Sequence, residues 1–466
     1  MTTTIPFGDE SLTLTLPDET EILRMRAVEP ISDPRAAIAA AFDRPIGTKP
    51  LDELLREKVA AAAVVPTATI VIADHTRPVP YNGEQGILWP LVERLVAAGL
   101  AEERITVLVG TGTHHPLTSE IDRMLDPRIL TSRVHVVSHD CRDPEQLRYV
   151  GTTARGTEAT LNAHYLDADI RIATGLVESH FFAGASGGRK AICPGIVGEQ
   201  VTHSFHSARM VASPDSTHLK LDGNPHHEES FAVASMAPPD FTVNVTLDSD
   251  YRLTGVFAGE LDAAHRAAVA RIREYVEIEI DEPYDIVLTH GGFVSINHYQ
   301  AAKPALVAIE ALAEGGWFFL PASTTDDDPV GSLRYRTLLH LLRMIGPDAF
   351  TRLLFSDGWT FLPDQWEVQA WAKVDAAVAR DHFYYYSPQS ARADYEILPG
   401  TDGNTLLPEP DRYRNDPANV QRALDAFVKR AKADLATRGV STPRICFLYD
   451  GPYGIVQRRG RATATT

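Results

Sequence analysis

The sequence has few of the features that mark secreted, membrane or disulfide-stabilised proteins. Its 466 residues include three cysteines, Cys141, Cys193 and Cys446, which lie far apart and form no CxxC pair. Such cysteines build neither a disulfide framework nor a thiolate zinc site, and they fit a reducing compartment. No apolar run approaches the ~20 residues that span a bilayer, and the N-terminal segment lacks a signal-peptide pattern. We therefore expect a cytoplasmic protein with no membrane partner.

Positive charge is also scarce. Lys and Arg total 44 against 62 Asp and Glu, which gives a formal net charge of −18 at pH 7. No run of Lys or Arg forms a local basic patch, so the surface repels phosphate backbones and we expect no nucleic-acid partner. The phosphate-binding motifs GxxxxGK[ST] and GxGxxG and the zinc-protease motif HExxH are missing as well.

Short apolar runs, each followed by a polar or glycine-rich turn, alternate with helical patterns. Continuous apolar runs are typical of strands that are buried on both faces of a parallel sheet. The predicted strands are 68–73, 105–109, 169–173, 285–289 and 444–449, and the clearest helical patterns are 88–100 and 301–314. The alternation predicts an α/β fold with mostly parallel sheets, in which the carboxyl ends of the strands carry the active site.

The length exceeds that of a single hydrophobic core, and a boundary is expected near residues 270–283, where a helical pattern ends before a new strand. We expect two α/β sandwich domains with the active site in the cleft between them. Residues 1–275 would form an N-terminal cofactor-binding and catalytic domain, and residues 276–455 a C-terminal domain that completes the substrate site. Residues 456–466 would be a disordered tail.

The segment 180–195, HFFAGASGGRKAICPG, is the strongest candidate for a site. Small residues at 184–188 let backbone N–H groups approach a ligand, and Arg189 and Lys190 follow at an expected helix start, where the helix dipole favours anions. This pattern predicts a site for a phosphate or another planar anion; the alternative is a glycine-rich turn with solvated cations. Several histidines, which are common metal ligands and acid–base groups, cluster around it: His203, His206, His218, His226 and His227.

Seven segments occur in the order found in the lactate racemase family, namely DHTRP, GTHHPLT, HFFAGASGGRKAICPG, FH at 205–206, GNPHHE, YQAAKP and DQWEVQ. They run from Asp74 to Gln369, and the closing YDGPYGIV also resembles the last strand of that family. The combination of SGGRK with flanking histidines is highly specific, whereas DxTRP or YQxxK alone would be weak. Members of this family use a nickel-pincer nucleotide (pyridinium-3,5-bisthiocarboxylic acid mononucleotide nickel) as a hydride acceptor.

The resemblance implies how the chain would hold this cofactor. Lys190 would form its thioamide tether, His206 would bind nickel, and Asp74 would lie beside the cofactor. The nucleotide phosphate would be held by Ser186, Gly187, Gly188 and Arg189. The cofactor-synthesis enzymes would be transient partners.

The resemblance also implies the reaction, a racemisation or epimerisation of lactate or a related 2-hydroxy acid through a 2-keto acid. His114 and His180 would be the acid–base groups, one for each enantiomer. Arg77 would bind the substrate carboxylate in a bidentate fork. The second domain would add further substrate contacts through Gln300, Lys303 and Trp366.

The sequence departs from the family pattern at two positions that bear on substrate choice. His115 stands where many relatives have Arg, and Ser295 stands where relatives often have an acidic residue. The neighbouring Phe181 and Phe182 fit a hydrophobic core as well as a substrate wall.

Two alternative functions compete with this interpretation. A zinc hydrolase could use His203 and His206, but it would lack the adjacent glutamate base. A nickel- or cofactor-binding protein without turnover would not need the paired histidines His114 and His180. The oligomeric state is left open.

Overall fold

The computed structural model describes residues 1–8, 10–118, 120–292 and 294–459. The strands in chain order are β1 (Thr2–Phe7), β2 (Glu10–Thr15), β3 (Thr20–Leu23), β4 (Ala68–Ala73), β5 (Ile105–Gly110), β6 (His135–Ser138), β7 (Leu147–Thr152), β8 (Glu158–Asn162), β9 (Ile170–Leu176), β10 (Ser179–His180), β11 (Gly184–Ala185), β12 (Phe241–Leu247), β13 (Leu253–Gly259), β14 (Glu277–Ile280), β15 (Tyr284–Leu288), β16 (Leu312–Pro321), β17 (Phe383–Tyr386), β18 (Thr401–Asp402), β19 (Ile445–Leu448) and β20 (Ile455–Arg458). The α-helices are α1 (Pro34–Asp43), α2 (Leu51–Ala61), α3 (Leu88–Ala97), α4 (Ile121–Met124), α5 (Pro127–Thr131), α6 (Ala163–Leu166), α7 (Glu199–Phe205), α8 (Ala208–Ala212), α9 (Pro225–Ser235), α10 (Leu261–Val276), α11 (His298–Ala311), α12 (Leu333–Ile345), α13 (Pro347–Leu354), α14 (Gln365–Ala377) and α15 (Pro417–Thr437).

The chain forms two compact units, one of residues 27–275 and the other of residues 1–26 together with the chain from Val276 onward. The first unit is built on a six-stranded sheet of order β13-β12-β9-β4-β5-β6. All neighbours in it are parallel except β13, which pairs antiparallel with β12 at one edge. The chain runs outward from β4 through β5 and β6 and later forms β9 on the other side of β4. Ligands of such sheets bind outside the carboxyl ends of the strands at this reversal of strand order.

Both faces of this sheet are buried, which explains its continuous apolar strands. Ile70 and Ile72 of β4 pack in one hydrophobic cluster, and Val71 between them packs in another. Successive side chains of a strand point to opposite faces, so each residue of the run meets a core.

The second unit is built on another six-stranded sheet, of order β18-β17-β16-β15-β19-β3. Every pairing in it is parallel. Its core joins β15, β16 and β19 to α15 through residues such as Phe319, Phe427 and Phe447. The prediction of an α/β fold with mostly parallel sheets is therefore confirmed.

The two units differ from the expected domains at both ends of the chain. The division after residue 275 lies inside the expected boundary region, but residues 1–26 belong to the second unit because β3 pairs in parallel with β19. Residues 456–458, expected in a disordered tail, lie in β20, which pairs with β14. Residues 460–466 of that tail lie outside the described residues. No helix in the described part of the chain is long and apolar enough to cross a membrane.

Candidate active site

Asp74 directly follows β4 and is nearly inaccessible, with 3% of its surface exposed. Its Oδ1 accepts hydrogen bonds from the backbone N (3.1 Å) and Oγ1 (2.5 Å) of Thr76, which close the DHTRP turn. Its Oδ2 lies 2.6 Å from Nδ1 of His114. Burial alone would raise the pKa of Asp74, but the hydrogen bond and charge of His114, together with the Thr76 bonds, lower it below its ordinary value. Asp74 is thus a carboxylate that orients His114.

His114 lies in the loop after β5, the strand next to β4. The loop is anchored on both sides, since Thr111 Oγ1 donates to the carbonyl of His139 (2.7 Å) and Gly112 N donates to the carbonyl of Gly195 (3.0 Å). The His114 side chain keeps 57% of its surface exposed. A buried carboxylate on one ring nitrogen and solvent around the rest of the ring suit an acid–base group.

His180 ends β10, shortly after β9 on the other side of β4. Its Nδ1 accepts hydrogen bonds from the backbone N–H groups of Phe182 and Ala183, both at 3.2 Å. Its ring stacks on Phe181 with centroids 5.0 Å apart. Phe182 is buried in the core, and its carbonyl accepts a bond of 2.8 Å from Nδ2 of Asn224. Asp74, His114 and His180 therefore follow three neighbouring strands.

The SGGRK loop uses its own polar side chains to hold its shape. Ser186 Oγ donates to the carbonyl of Leu176 at 2.8 Å. Arg189 is only 1% exposed and donates to the carbonyls of Ala183 (2.6 Å) and Ala185 (2.8 Å), and burial lowers its pKa to about 9. The expected helix start is a short 3-10 helix, Gly188–Ala191. The prediction that the side chains of Ser186 and Arg189 hold a phosphate therefore has no support from their geometry.

Gly187 and Gly188 allow this loop to pack closely. Both have left-handed backbones, with φ of 71° and 50°. A Cβ on Gly187 would lie 2.6 Å from Cγ2 of Val177, and one on Gly188 would lie 2.6 Å from Cγ of His265. The family resemblance implied that these glycines bind the nucleotide phosphate. In the structure, the side chains of Val177 and His265 lie where their Cβ atoms would be.

We expect Gly188→Ala to destabilise the protein more than an alanine at an uncrowded glycine of similar backbone. Gly83, with φ of 68° and nothing within 4 Å of an added Cβ, is the matched control. The backbone strain is common to both variants, so the clash with His265 should add about 1–3 kcal/mol in Gly188→Ala. Urea denaturation measures the free energy of unfolding of both variants. Equal losses of stability in the two variants would show that the contact with His265 adds no cost.

His206 follows α7, and its surroundings favour the neutral imidazole. Its Nδ1 donates to the carbonyl of Thr202 at 2.9 Å, which leaves the lone pair on Nε2. Burial, followed by the charges of Lys190 and His203, lowers its pKa to about 4 against the raising effect of the Thr202 bond. A backbone carbonyl on the second ring nitrogen is the usual support of a metal-binding histidine. The charge of Lys190 thus acts on the His206 ring.

Arg77 is partly buried, and a cavity of about 520 Å³ lies beside it. Its lining includes the charged or polar side chains of Arg77, Glu84, Arg123 and Tyr251. This volume falls in the range of small-molecule sites.

Gln300, Lys303 and Trp366 lie in the second unit. The first two are on α11, and Trp366 is on α14, which packs against α11. Trp366 stacks on Phe361 with centroids 6.0 Å apart. The next residue, Glu367, is buried, and burial raises its pKa against the lowering effect of the Lys303 charge. Sequence reasoning missed this carboxyl group.

The role of Asn224 as a helix cap was also missed, although the Asn-Pro pair at 224–225 indicates it. Its Oδ1 caps α9 by accepting from the backbone N of His226 (3.0 Å) and of His227 (3.3 Å). An asparagine before a proline is a typical helix start. His226 itself packs edge-on to His206, with centroids 5.7 Å apart. The GNPHHE segment therefore supports both the His180 turn and the His206 ring.

The chain is similar to known proteins over most of its length. Residues 7–218 match the family model of the lactate racemase N-terminal domain. The chain is 31% identical over 376 residues to a lactate racemase of Thermoanaerobacterium thermosaccharolyticum, covering 79% of this chain and 85% of that protein. The chain belongs to the lactate racemase family. A lactate racemase of Lactiplantibacillus plantarum is 29% identical over 398 residues, with 85% of each chain covered.

Solved structures give the same assignment for the fold. The lactate racemase apoprotein of T. thermosaccharolyticum superposes with a TM-score of 0.81 at 25% identity, covering 98% of this chain and 100% of that one. A protein from Thermotoga maritima, at 17% identity and a TM-score of 0.59, covers 88% and 97% and shares the fold. The family assignment confirms the resemblance seen in the motifs and the prediction of an isomerase. It favours a racemase over the two alternative functions, a zinc hydrolase and a non-catalytic binding protein.

Proposed function

We propose that this member of the lactate racemase family interconverts the enantiomers of lactate, or of a related 2-hydroxy acid, with a nickel-pincer nucleotide. The observation that carries the proposal is the 2.6 Å contact between Asp74 and His114, with His180 after the strand on the other side of β4. The relatives named as lactate racemases supply the substrate class. The protein made together with the cofactor-synthesis enzymes should racemise at least one acid in a screen of chiral 2-hydroxy acids, and no turnover of any would refute the proposal.

Two residues of the chain fit this cofactor. His206 presents a neutral imidazole whose Nδ1 proton is already bonded to Thr202, and imidazole is a good nickel donor. Lys190 is close enough for its charge to lower the pKa of His206, and a covalent tether at its Nζ would remove that charge. When bound, the cofactor supplies an acceptor for the C2 hydrogen as hydride.

The chain itself would supply proton transfer and orientation. A hydrogen on the carbinol carbon of a 2-hydroxy acid is weakly acidic, so its loss as hydride is easier, provided that the hydroxyl proton leaves as well. His114 would accept that proton from one enantiomer and His180 from the other, with a 2-keto acid between the two steps. The guanidinium of Arg77 would bind the carboxylate in a bidentate fork. Substrate contacts of Gln300, Lys303 and Trp366 stay predictions from the resemblance.

We expect His206→Ala to lower nickel content and activity together, because the metal loses its imidazole donor. His203→Ala is the matched control, since His203 lies on the same helix and should leave both values near those of the wild type. Metal analysis of purified protein measures occupancy independently of turnover. Full occupancy and normal turnover in His206→Ala would assign the ligand elsewhere, with His203 as the first candidate.

A further inference from the structure

The two acid–base histidines differ in the partner of the same ring nitrogen. In His114, Nδ1 lies 2.6 Å from a carboxylate oxygen of Asp74, which can only accept, so Nδ1 carries a proton. In His180, Nδ1 lies 3.2 Å from the backbone N–H groups of Phe182 and Ala183. These groups can only donate, so Nδ1 is an unprotonated acceptor. A neutral imidazole has one proton, which therefore sits on Nδ1 of His114 and on Nε2 of His180.

We propose that the chain presets the two histidines in opposite tautomers, with Asp74 as the positioning residue of His114. This inference rests on the proposed function. In the neutral state, Nε2 of His114 carries the lone pair and can take a hydroxyl proton at once. Nε2 of His180 already carries a proton. It can accept the hydroxyl proton only after it has released its own proton to water and Nδ1 has taken one up from water, and the two N–H donors at Nδ1 oppose that protonation.

Both tautomers are held by parts of the fold rather than by the ring alone. Asp74 cannot turn away from His114 easily, because its other oxygen accepts two bonds from Thr76. The turn that donates to His180 is tied by Asn224, whose Nδ2 donates to the carbonyl of Phe182 and whose Oδ1 caps α9. The difference between the histidines is therefore a property of the unliganded chain.

The kinetic consequence appears in the first turnover and not in kcat/KM. Racemisation has an equilibrium constant of one, so kcat/KM must be equal for the two enantiomers. Single turnover of each pure enantiomer has no such constraint. The enantiomer whose hydroxyl faces His114 should react faster in its first turnover than the one whose hydroxyl faces His180.

Nitrogen-15 NMR of the cofactor-free protein reads the tautomers directly. With labelled histidine, two-bond proton–nitrogen correlations distinguish Nδ1–H from Nε2–H rings, and His114→Gln and His180→Gln assign the signals. Two rings serve as references: His206 donates from Nδ1 to Thr202, and His139 donates from Nε2 to the carbonyl of Val197 (2.9 Å). His114 should match His206, and His180 should match His139. The same tautomer in His114 and His180 would overturn the inference.

Asp74→Asn should switch the tautomer of His114. The bonds from Thr76 keep the amide oxygen on their side, so the amide NH₂ faces Nδ1 and moves the ring proton to Nε2. The wrong tautomer in an Asp–His pair costs up to about 10⁴-fold in a known hydrolase, and we expect a loss on the order of 10²–10⁴-fold. The loss should fall on the first turnover of one enantiomer and spare the other.

The exposed Asp122→Asn on α4 is the control and should change neither readout. An unchanged His114 signal in Asp74→Asn, or an equal loss with both enantiomers, would overturn the role of Asp74. The NMR result does not depend on cofactor or substrate. A failure of the racemase assay would therefore count against the proposed function, whereas matching tautomers would count against this inference alone.

Discussion

Lys190→Ala is expected to abolish cofactor attachment and racemase activity together, because the side chain that would form the thioamide is gone. Lys190 follows the buried Arg189 in a loop that is fixed by bonds to backbone carbonyls, so the loop sets the position of this lysine. Intact-protein mass spectrometry after co-expression with the cofactor-synthesis enzymes should show an added mass in the wild type that the variant lacks.

Lys58→Ala is the control for this experiment. Lys58 pairs with Asp240 at 2.6 Å at the surface of the same unit and should keep the full adduct when replaced. An identical adduct on Lys190→Ala would remove the tether from the mechanism, even if activity were lost.

His114→Ala and His180→Ala should each lower the rate of net racemisation by on the order of 10²–10⁴-fold, the usual contribution of a positioned acid–base group. Net interconversion passes through both half-reactions, so each single variant should fail in both directions. The half-reactions separate in single turnover with pure enantiomers, where one variant should still process the D form and the other the L form.

His135→Ala is the control, because His135 is an exposed histidine on β6 of the same sheet. It should keep the wild-type rate with both enantiomers. If His114→Ala and His180→Ala also process both enantiomers at that rate, the two histidines are structural and the two-base mechanism fails.

The strands that carry the site were predictable because they are buried on both faces. Runs such as 68–73 stand out as unbroken apolar segments, and β4, β5 and β9 match them within a few residues. By contrast, β3 was not predicted, and β20 was indicated only by the resemblance of the segment 449–456 to the last strand of the family. Each is a short strand whose partner lies far away in the sequence, β19 for β3 and β14 for β20. Local pattern does not specify such a partner, so residues 1–26 were assigned to the other unit.

The site residues were predictable by type and by strand end, but their contacts were not. From the sequence, Arg189 was expected to bind the nucleotide phosphate, with a solvated cation as the alternative, whereas the fold buries it among the carbonyls of its own loop. The bond between Asp74 and His114 joins loops that follow two different strands, and it exists because β4 and β5 are neighbours. Strand pairing is a property of the whole sheet and cannot be read from one segment. The order of the motifs therefore indicated the family, but it did not indicate the contacts between the motifs.

Hydride transfer in this protein can be tested by racemisation of pure L- and D-lactate, and of the acids active in the screen, in D₂O. Removal of the C2 hydrogen as a proton would exchange it with solvent, whereas its removal and return as hydride would not. We expect each enantiomer to converge to an equal mixture and to keep its original hydrogen at C2, as read by chiral chromatography and mass spectrometry. Deuterium at C2 of the product, or no interconversion of any acid by the cofactor-loaded protein, would contradict it.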